Sequence, residues 1–291
     1  MNYTDFDYKV FKQCAICDSK EIKNYGRNGT NDRKVHPQVF KCFACGVLFV
    51  NPIIDVENIP KLYQNFEIEY KPHSPERLNY IMSEVRNWDK TIRKSSSKQR
   101  LCRFLEIGSA RGAFVKSFSD IGWDSHGIEP SEGLYNYSKN QYNLGNIKNK
   151  AIESVEYPED YFDLIYFWHV LEHLVDPKTS LKKIFKWLRP GGILHLGTPN
   201  PSNIITKIYP KISGYFDLGV GHTFMFPPKT LNNLIQSIGF IIQNHETYST
   251  KKSGNTVKIL IRNILHNIYP KSVSYYQRLT AEKPQNLSKS L

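Results

Sequence analysis

Four of the five cysteines in this 291-residue chain form two closely spaced pairs. Cys14 and Cys17 form the first C-x-x-C pair, and Cys42 and Cys45 form the second. Each pair brings two thiolates within reach of one metal ion, and four thiolates complete the tetrahedral shell of structural zinc. The spacing predicts a zinc-ribbon-like module over residues 1–55. The alternative is a set of reduced, buried cysteines that hold no metal.

A second group of chemically capable side chains lies at residues 169–173, which read HVLEH. In one class of zinc peptidases, H-x-x-E-H supplies two histidine ligands and a glutamate base. Such a site requires the motif inside a long amphipathic helix, whereas here an apolar, strand-like run leads directly into it and Pro177 follows. We therefore reject the peptidase interpretation. His169 remains a candidate general base, because imidazole titrates near neutral pH.

The composition is that of a globular protein, with 40% hydrophobic and 23% charged residues. No apolar run is long enough to span a bilayer, and the start lacks a basic segment followed by an apolar one, so we expect a cytoplasmic protein. The net charge of +12 favours anionic partners. Residues 251–291 contain eight Lys or Arg and one acid, Glu282, and so carry +7 of that charge. The mildly basic remainder weakens the case for a nucleic-acid partner.

The segments after the cysteine pairs predict a helical connector and then an α/β unit. Residues 56–100 read as the connector, with a helix that starts near Pro75. From residue 101 an apolar strand ends at Glu106, a glycine turn and a helix follow, and a second strand ends at Glu129. Glu129 lies 21 residues after Gly108, the distance at which an acid accepts hydrogen bonds from ribose hydroxyls in doubly wound folds.

The glycine turn reads Glu106-x-Gly108-x-Ala110-x-Gly112, which resembles the first motif of class I S-adenosylmethionine-dependent methyltransferases of type 11/23. Ala110 stands where that family has its middle glycine. The resemblance implies S-adenosylmethionine as cofactor, with backbone close to its methionine part and Glu106 facing its ammonium group directly or through water. The cofactor-binding residues that it implies are Glu106, Gly108, Ser109, Gly112, Glu129, Trp168 and His169.

Three later segments resemble further parts of the same family, in the expected order. Residues 157–177 resemble the fourth motif, residues 180–200 the following helix, turn and fifth strand, and residues 222–240 the segment around the last helix. The resemblance implies an α/β, Rossmann-like domain over residues 101–250, with a seven-stranded, mostly parallel sheet and helices on both faces. The zinc-ribbon-like module precedes this domain, and residues 251–291 form a basic extension.

The HVLEH loop has three interpretations within this family. Related methyltransferases that modify quinone precursors or RNA ends carry E-x-x-E-H here and bind a divalent ion with it. This chain has His169 in place of the first glutamate, which lowers the number of hard oxygen ligands that Mg²⁺ prefers. His169, Glu172 and His173 either hold a metal or order the loop over the cofactor, or His169 acts as the base.

A further histidine, His222, is the other candidate base. In resembling sugar methyltransferases with a cysteine-rich amino-terminal domain, a histidine in this region lies near the substrate. Tyr209, Tyr215 and Asp217 are candidates to line the same pocket. The alternative is a histidine on a surface loop.

The resemblance favours methyl transfer to a small-molecule or glycan acceptor, above all a sugar hydroxyl or carbon in polysaccharide or nucleotide-sugar biosynthesis. One alternative is an RNA methyltransferase whose zinc module and basic tail hold phosphates. Another is a non-catalytic binding module. The tail itself reads either as an amphipathic helix on the anionic inner face of a membrane or as a helix or strand packed on the domain.

Overall fold

The computed structural model describes residues 6–27, 38–64, 72–95, 100–202, 222–248 and 274–285. The chain opens with short strands: β1 (Tyr8–Lys9), β2 (Ile22–Arg27), β3 (Gln38–Cys42), β4 (Leu48–Asn51) and β5 (Ile53–Ile54). Two helices follow, α1 (Ile59–Gln64) and α2 (Pro75–Ser95). Next come β6 (Arg103–Ile107), α3 (Ala113–Asp120), β7 (Asp124–Ile128), α4 (Glu132–Tyr142), β8 (Ile147–Lys148), β9 (Phe162–Trp168), α5 (Pro177–Trp187) and β10 (Leu188–Pro199). The last elements are β11 (Phe224–Met225), α6 (Pro228–Ile238), β12 (Ile241–Tyr248) and β13 (Tyr276–Glu282).

Helix α2 begins at the predicted proline, so this helix start is confirmed. The Ser74 hydroxyl accepts a hydrogen bond from the Arg77 backbone N–H at 3.3 Å, which satisfies one of the free amides of the first turn. Ile81 and Val85 are buried in a cluster that includes Phe114 of α3. The predicted connector of residues 56–100 is therefore not a simple linker, because α2 covers one face of the main sheet.

The main sheet has seven strands in the order β12-β13-β10-β9-β6-β7-β8. The strands from β10 to β8 run parallel to their neighbours, and β13 runs antiparallel to both β10 and β12. β9 is buried along nearly its whole length, as expected of a strand covered on both faces. The predicted Rossmann-like, mostly parallel seven-stranded fold with helices on both faces is confirmed.

The predicted boundary at residue 250 is wrong, because β13 comes from the segment that we interpreted as a basic extension. Leu279 and Ala281 of β13 are fully buried, and the strand hydrogen-bonds to β10 on one side and β12 on the other. Without β13, β12 would have no partner in the sheet. The amphipathic part of the tail, residues 249–273, lies outside the described residues.

The cysteine-rich module is joined to the main domain. Its four-stranded sheet has the order β11-β4-β3-β2, and the edge strand β11 comes from residues 224–225, far beyond the predicted module boundary at residue 55. One hydrophobic cluster runs from Cys14 and Phe49 of the module to Leu196 of β10. Among the described residues, no helix is long and apolar enough to cross a membrane.

Candidate functional site

The glycine turn after β6 lies at the carboxyl edge of the parallel strands, where ligands of open α/β sheets bind. Gly108 has φ +68°, and a Cβ there would lie 2.4 Å from Cγ2 of Val170. Gly112 has φ +75°, and a Cβ there would lie 2.9 Å from Cβ of Ser138. Both positions therefore need glycine for backbone conformation and for space.

Ala110, which replaces the middle glycine of the motif, lies in the left-handed region with φ +47°. Its backbone N–H donates to Oε2 of Glu129 at 2.8 Å, and the Ser131 N–H donates to Oε1 at 2.9 Å. These bonds hold the turn in place despite the unfavourable conformation of Ala110. Burial raises the pKa of Glu129 to about 7, against the opposing effect of the two N–H donors.

Glu106 is the second buried acid at this edge, with 7% of its surface exposed. Its Oε2 has no hydrogen-bond partner among the described residues. Burial, and then the nearby Glu129, raise the pKa of Glu106 well above its usual value. A buried carboxyl oxygen that lacks a partner is a natural acceptor for an ammonium group. The two acids and the glycine turn thus fit the ammonium and ribose groups of S-adenosylmethionine.

Two of the proposed cofactor residues have side chains packed into the domain. The Ser109 hydroxyl lies over Gly127, where a Cβ would come within 2.9 Å of it, so Ser109 contributes backbone to the turn. Trp168 lies over Gly197, where a Cβ would come within 2.6 Å of the indole ring. Its ring also stacks on Tyr166 at 5.9 Å.

The HVLEH loop continues directly from β9. His169 has φ +56°, an uncommon conformation for a residue other than glycine, and its N–H donates to the Gly197 carbonyl at 2.9 Å. Its Nδ1 lies 3.0 Å from Oε1 of Glu172, and the Thr198 hydroxyl donates to Oε2 at 2.9 Å. Burial alone would raise the pKa of Glu172, but the bond to His169 and the nearby charges of His173 and His169 lower it. Glu172 is therefore held as a buried carboxylate.

The fold brings His222 to this loop although it is 49 residues after His173. The two imidazole rings lie 4.7 Å apart. Ligand atoms of Glu172, His173 and His222 all lie within 4.8 Å of one another, a spacing that one metal ion could bridge. The predicted metal set was different, because His169 contacts Glu172 but is not part of this group. Two imidazoles and one carboxylate suit zinc or a transition metal better than Mg²⁺.

Aromatic rings from the last strands line the outer side of the loop. The His169 ring meets Tyr276 edge-on at 5.3 Å, and Tyr248 stacks on Tyr276 at 5.6 Å and lies 6.3 Å from Trp168. The sequence analysis missed Tyr248 and Tyr276. Tyr248 is the last residue of β12 and Tyr276 is the first residue of β13, and an aromatic residue at the end of a strand does not by itself indicate a site. The proposed pocket residues Tyr209, Tyr215 and Asp217 lie outside the described residues.

The four paired cysteines converge as the spacing predicts. The Sγ atoms of Cys14 and Cys45 lie 3.7 Å apart, those of Cys17 and Cys42 lie 3.6 Å apart, and all four lie within 4.8 Å of one another. None forms a disulfide. A tetrahedron with zinc–sulfur bonds of about 2.3 Å has edges of about 3.8 Å, so the four sulfur atoms fit one zinc ion. The contact with Cys45 lowers the pKa of Cys14 to about 5.

The sheet order, the glycine turn and the two buried acids together define a class I S-adenosylmethionine-dependent methyltransferase domain. The model of the Methyltransferase domain family matches residues 76–245, which is more than half of the chain. The chain belongs to this family.

Curated relatives and solved structures agree on the class. A ubiquinone biosynthesis O-methyltransferase of Bradyrhizobium diazoefficiens is 26% identical over 132 residues, which are 44% of this chain and 51% of that protein. One of Shewanella sp. (strain ANA-3) is 26% identical over 156 residues, 51% of this chain and 61% of that protein. The chain thus spans less than two thirds of the length of these relatives. A SAM-dependent methyltransferase structure from Archaeoglobus fulgidus, with 18% identity and a TM-score of 0.50, covers 71% of this chain and 94% of its own, and shows the shared fold.

Proposed function

We propose that this protein transfers the methyl group of S-adenosylmethionine to a hydroxyl group of a small-molecule or glycan acceptor, with a sugar hydroxyl as the first candidate. The observation that carries the proposal is the position of residues 169–174, which contain the HVLEH motif and are called the histidine loop from here on. Val170, the residue after His169, packs on Gly108 of the cofactor turn, and this contact supports a place for His169 beside the cofactor. The rings of His173 and His222 lie 4.7 Å apart close to the same loop. We also propose that the four cysteines hold a structural zinc ion.

The proposed reaction needs a proton acceptor beside the cofactor turn. S-adenosylmethionine, when bound, supplies a methyl group on a positively charged sulfur. An acceptor hydroxyl must lose its proton as it is methylated, and an imidazole near neutrality suits this task. His222 and His169 are the candidate bases. The buried Glu172 carboxylate contacts His169 at 3.0 Å, and this contact fixes the orientation of the ring.

A metal ion would divide the roles of the two histidines. If Glu172, His173 and His222 bind an ion, the imidazole of His222 is a ligand and cannot accept a proton. His169 would then be the base, and an ion held by Glu172, His173 and His222 would supply Lewis-acid assistance to the loss of the hydroxyl proton. Without an ion, His222 and His169 both remain candidates for the base.

The aromatic rings beside His169 support a flat acceptor. Trp168 and Tyr248 are half-buried and their rings lie 6.3 Å apart, so the exposed parts of these two rings are where a sugar ring would pack. The same surface suits a phenolic ring, and the relatives named ubiquinone biosynthesis O-methyltransferase favour a phenolic hydroxyl as a second candidate. Methylation of a sugar carbon would need a base at the same place.

The test is transfer of a labelled methyl group from S-adenosylmethionine to panels of nucleotide sugars, glycans, catechols and RNA. We expect label on one hydroxyl-bearing panel and a loss of about 10²–10⁴-fold in kcat when the base is replaced in His222→Ala or His169→Ala. His126→Ala is the control, because His126 lies in the middle of β7, away from the carboxyl edge. Label that appears only on RNA, or S-adenosylhomocysteine binding without transfer to any panel, would refute the proposal.

A further inference from the structure

The edge strand β11 lies between the cysteine-rich module and the histidine loop. On the module side, Phe224 and Met225 pair with Phe49 and Leu48 of β4. The Val50 N–H extends this ladder by donating to the Thr223 carbonyl at 2.9 Å. A strand of two residues is too short to be stable alone, so its position depends on β4.

On the other side, Thr223 contacts the histidine loop through two donors, its backbone N–H and its hydroxyl. Its backbone N–H donates to the Glu172 carbonyl at 2.7 Å. Its hydroxyl lies 2.9 Å from the same carbonyl and 2.7 Å from the Leu174 carbonyl. Thr223 is 4% exposed, so water cannot readily replace these bonds. The neighbouring residue is His222, whose place beside His173 therefore depends on Thr223.

Packing reinforces the same connection. Phe49 is fully buried and stacks on Phe224 at 6.0 Å, and Phe224 in turn stacks on Phe226 at 5.9 Å. The Thr230 hydroxyl, in the first turn of α6, donates to the carbonyl of Cys45 in the second cysteine pair. The module thus contacts both β11 and the helix that follows it.

We propose that the cysteine-rich module positions the residues on the acceptor side of the site, a role that we call the template. Thr223 is the positioning residue, because it connects β4 of the module to Glu172 and is the neighbour of His222. This inference rests on the proposed function where kcat is measured. Where hydrogen–deuterium exchange is measured, it rests on the fold alone. The cofactor acids Glu106 and Glu129 lie on β6 and after β7, outside this connection. Loss of the connection should therefore impair acceptor chemistry far more than cofactor binding, which the loop touches through the packing of Val170 on Gly108.

The first test compares Thr223→Val with Thr223→Ser. Valine keeps the shape and removes the hydroxyl, whereas serine keeps the hydroxyl. We expect kcat to fall about tenfold or more in the valine variant, because the loop carbonyls lose a buried donor. Serine should restore most of it, and the affinity for S-adenosylhomocysteine should stay within about twofold in both. A kcat in the valine variant equal to that of the wild type would overturn the positioning role. A loss of S-adenosylhomocysteine affinity as large as the loss of kcat would also overturn it.

The second test loosens the module with Phe49→Leu and follows hydrogen–deuterium exchange. The matched control is Phe240→Leu, which shortens another buried ring that packs edge-on against Phe185 at 4.9 Å. We expect Phe49→Leu to speed exchange at residues 222–226 and 170–174 and to leave residues 103–107 protected. The control should lower the melting temperature without this local change.

The exchange experiment separates the two proposals, since it needs no acceptor. If no acceptor is ever methylated but exchange rises at both segments in Phe49→Leu, the template survives and the proposed function fails. If exchange at residues 170–174 is unchanged although residues 222–226 loosen, the module does not position the loop and the template is refuted.

Discussion

The raised pKa of Glu129 leads to a measurable pH dependence of cofactor binding. Burial raises this pKa to about 7, so that about half of the carboxyl groups are protonated at pH 7 in the ligand-free protein. Ribose hydroxyls that donate hydrogen bonds favour the ionised form. Affinity then scales with the ionised fraction, which is about one eleventh at pH 6 and about ten elevenths at pH 8. Affinity for S-adenosylhomocysteine should therefore fall about tenfold between pH 8 and pH 6.

The same shift has a defined sign in the stability of the ligand-free protein. Because the pKa in the folded protein lies above the ordinary value of 4.5, Glu129 contributes stability below that value, and this contribution is lost as the pH rises through about 7. Ligand binding releases the proton, about half a proton per site from Glu129 at pH 7. Glu106, whose pKa burial also raises, adds to this release.

Isothermal titration in buffers of different ionisation enthalpy measures both quantities. Glu129→Gln removes the titrating group, and it also removes a charge that raises the pKa of Glu106, so both effects reduce the pH slope and the proton release. Glu282→Gln, which replaces a surface glutamate that accepts a bond from Gln243, is the control and should behave as wild type. An unchanged pH slope and unchanged proton release in Glu129→Gln would refute the assignment.

Three further changes test other parts of the molecule. Gly108→Ala should lower the affinity for S-adenosylhomocysteine and cost about 1–2 kcal/mol of stability from the left-handed backbone alone. Gly145→Ala is the control, because a Cβ there meets nothing within 4 Å, and it should change neither quantity. Equal unfolding curves and affinities for the two variants would contradict this. Cys17→Ser should lower both the bound zinc measured by plasma mass spectrometry and the melting temperature. Cys102→Ala is the control and should keep the metal. Zinc retained in full by Cys17→Ser would exclude the four-thiolate site. Asp163→Asn should lower the free energy of chemical unfolding by about 3–5 kcal/mol, because Arg100 and Arg189 lose a carboxylate that is 2% exposed. Asp120→Asn is the control, because Asp120 is an exposed partner of Lys116, and it should cost less than about 1 kcal/mol. Similar costs for both variants would show that the Asp163 cluster is not a buried ion pair.

The local features of the fold could be read from the amino-acid sequence, because short segments encode them. The helix start at Pro75, the helix from Pro228 that ends at Gly239, and the buried strand from Phe162 follow from capping, glycine and apolar patterns within a few residues. The glycine turn, Glu106 near the end of β6 and Glu129 directly after β7 also follow from spacing. These features carry the resemblance to class I methyltransferases, and that resemblance implied the fold class and the cofactor edge.

Tertiary structure decided the pairings between segments that are far apart in the chain. Local periodicity cannot show that β13 lies between β10 and β12, since the choice of strand partner depends on which surfaces meet after the chain has folded. For the same reason the sequence offered His169 as a member of the metal-capable group, and the fold chose His222 instead. The sequence by itself determined the two cysteine pairs, the glycine turn with its two acids, and the starts of helices α2 and α6. The three-dimensional packing of β4, β11 and the histidine loop determined which of those residues stand together.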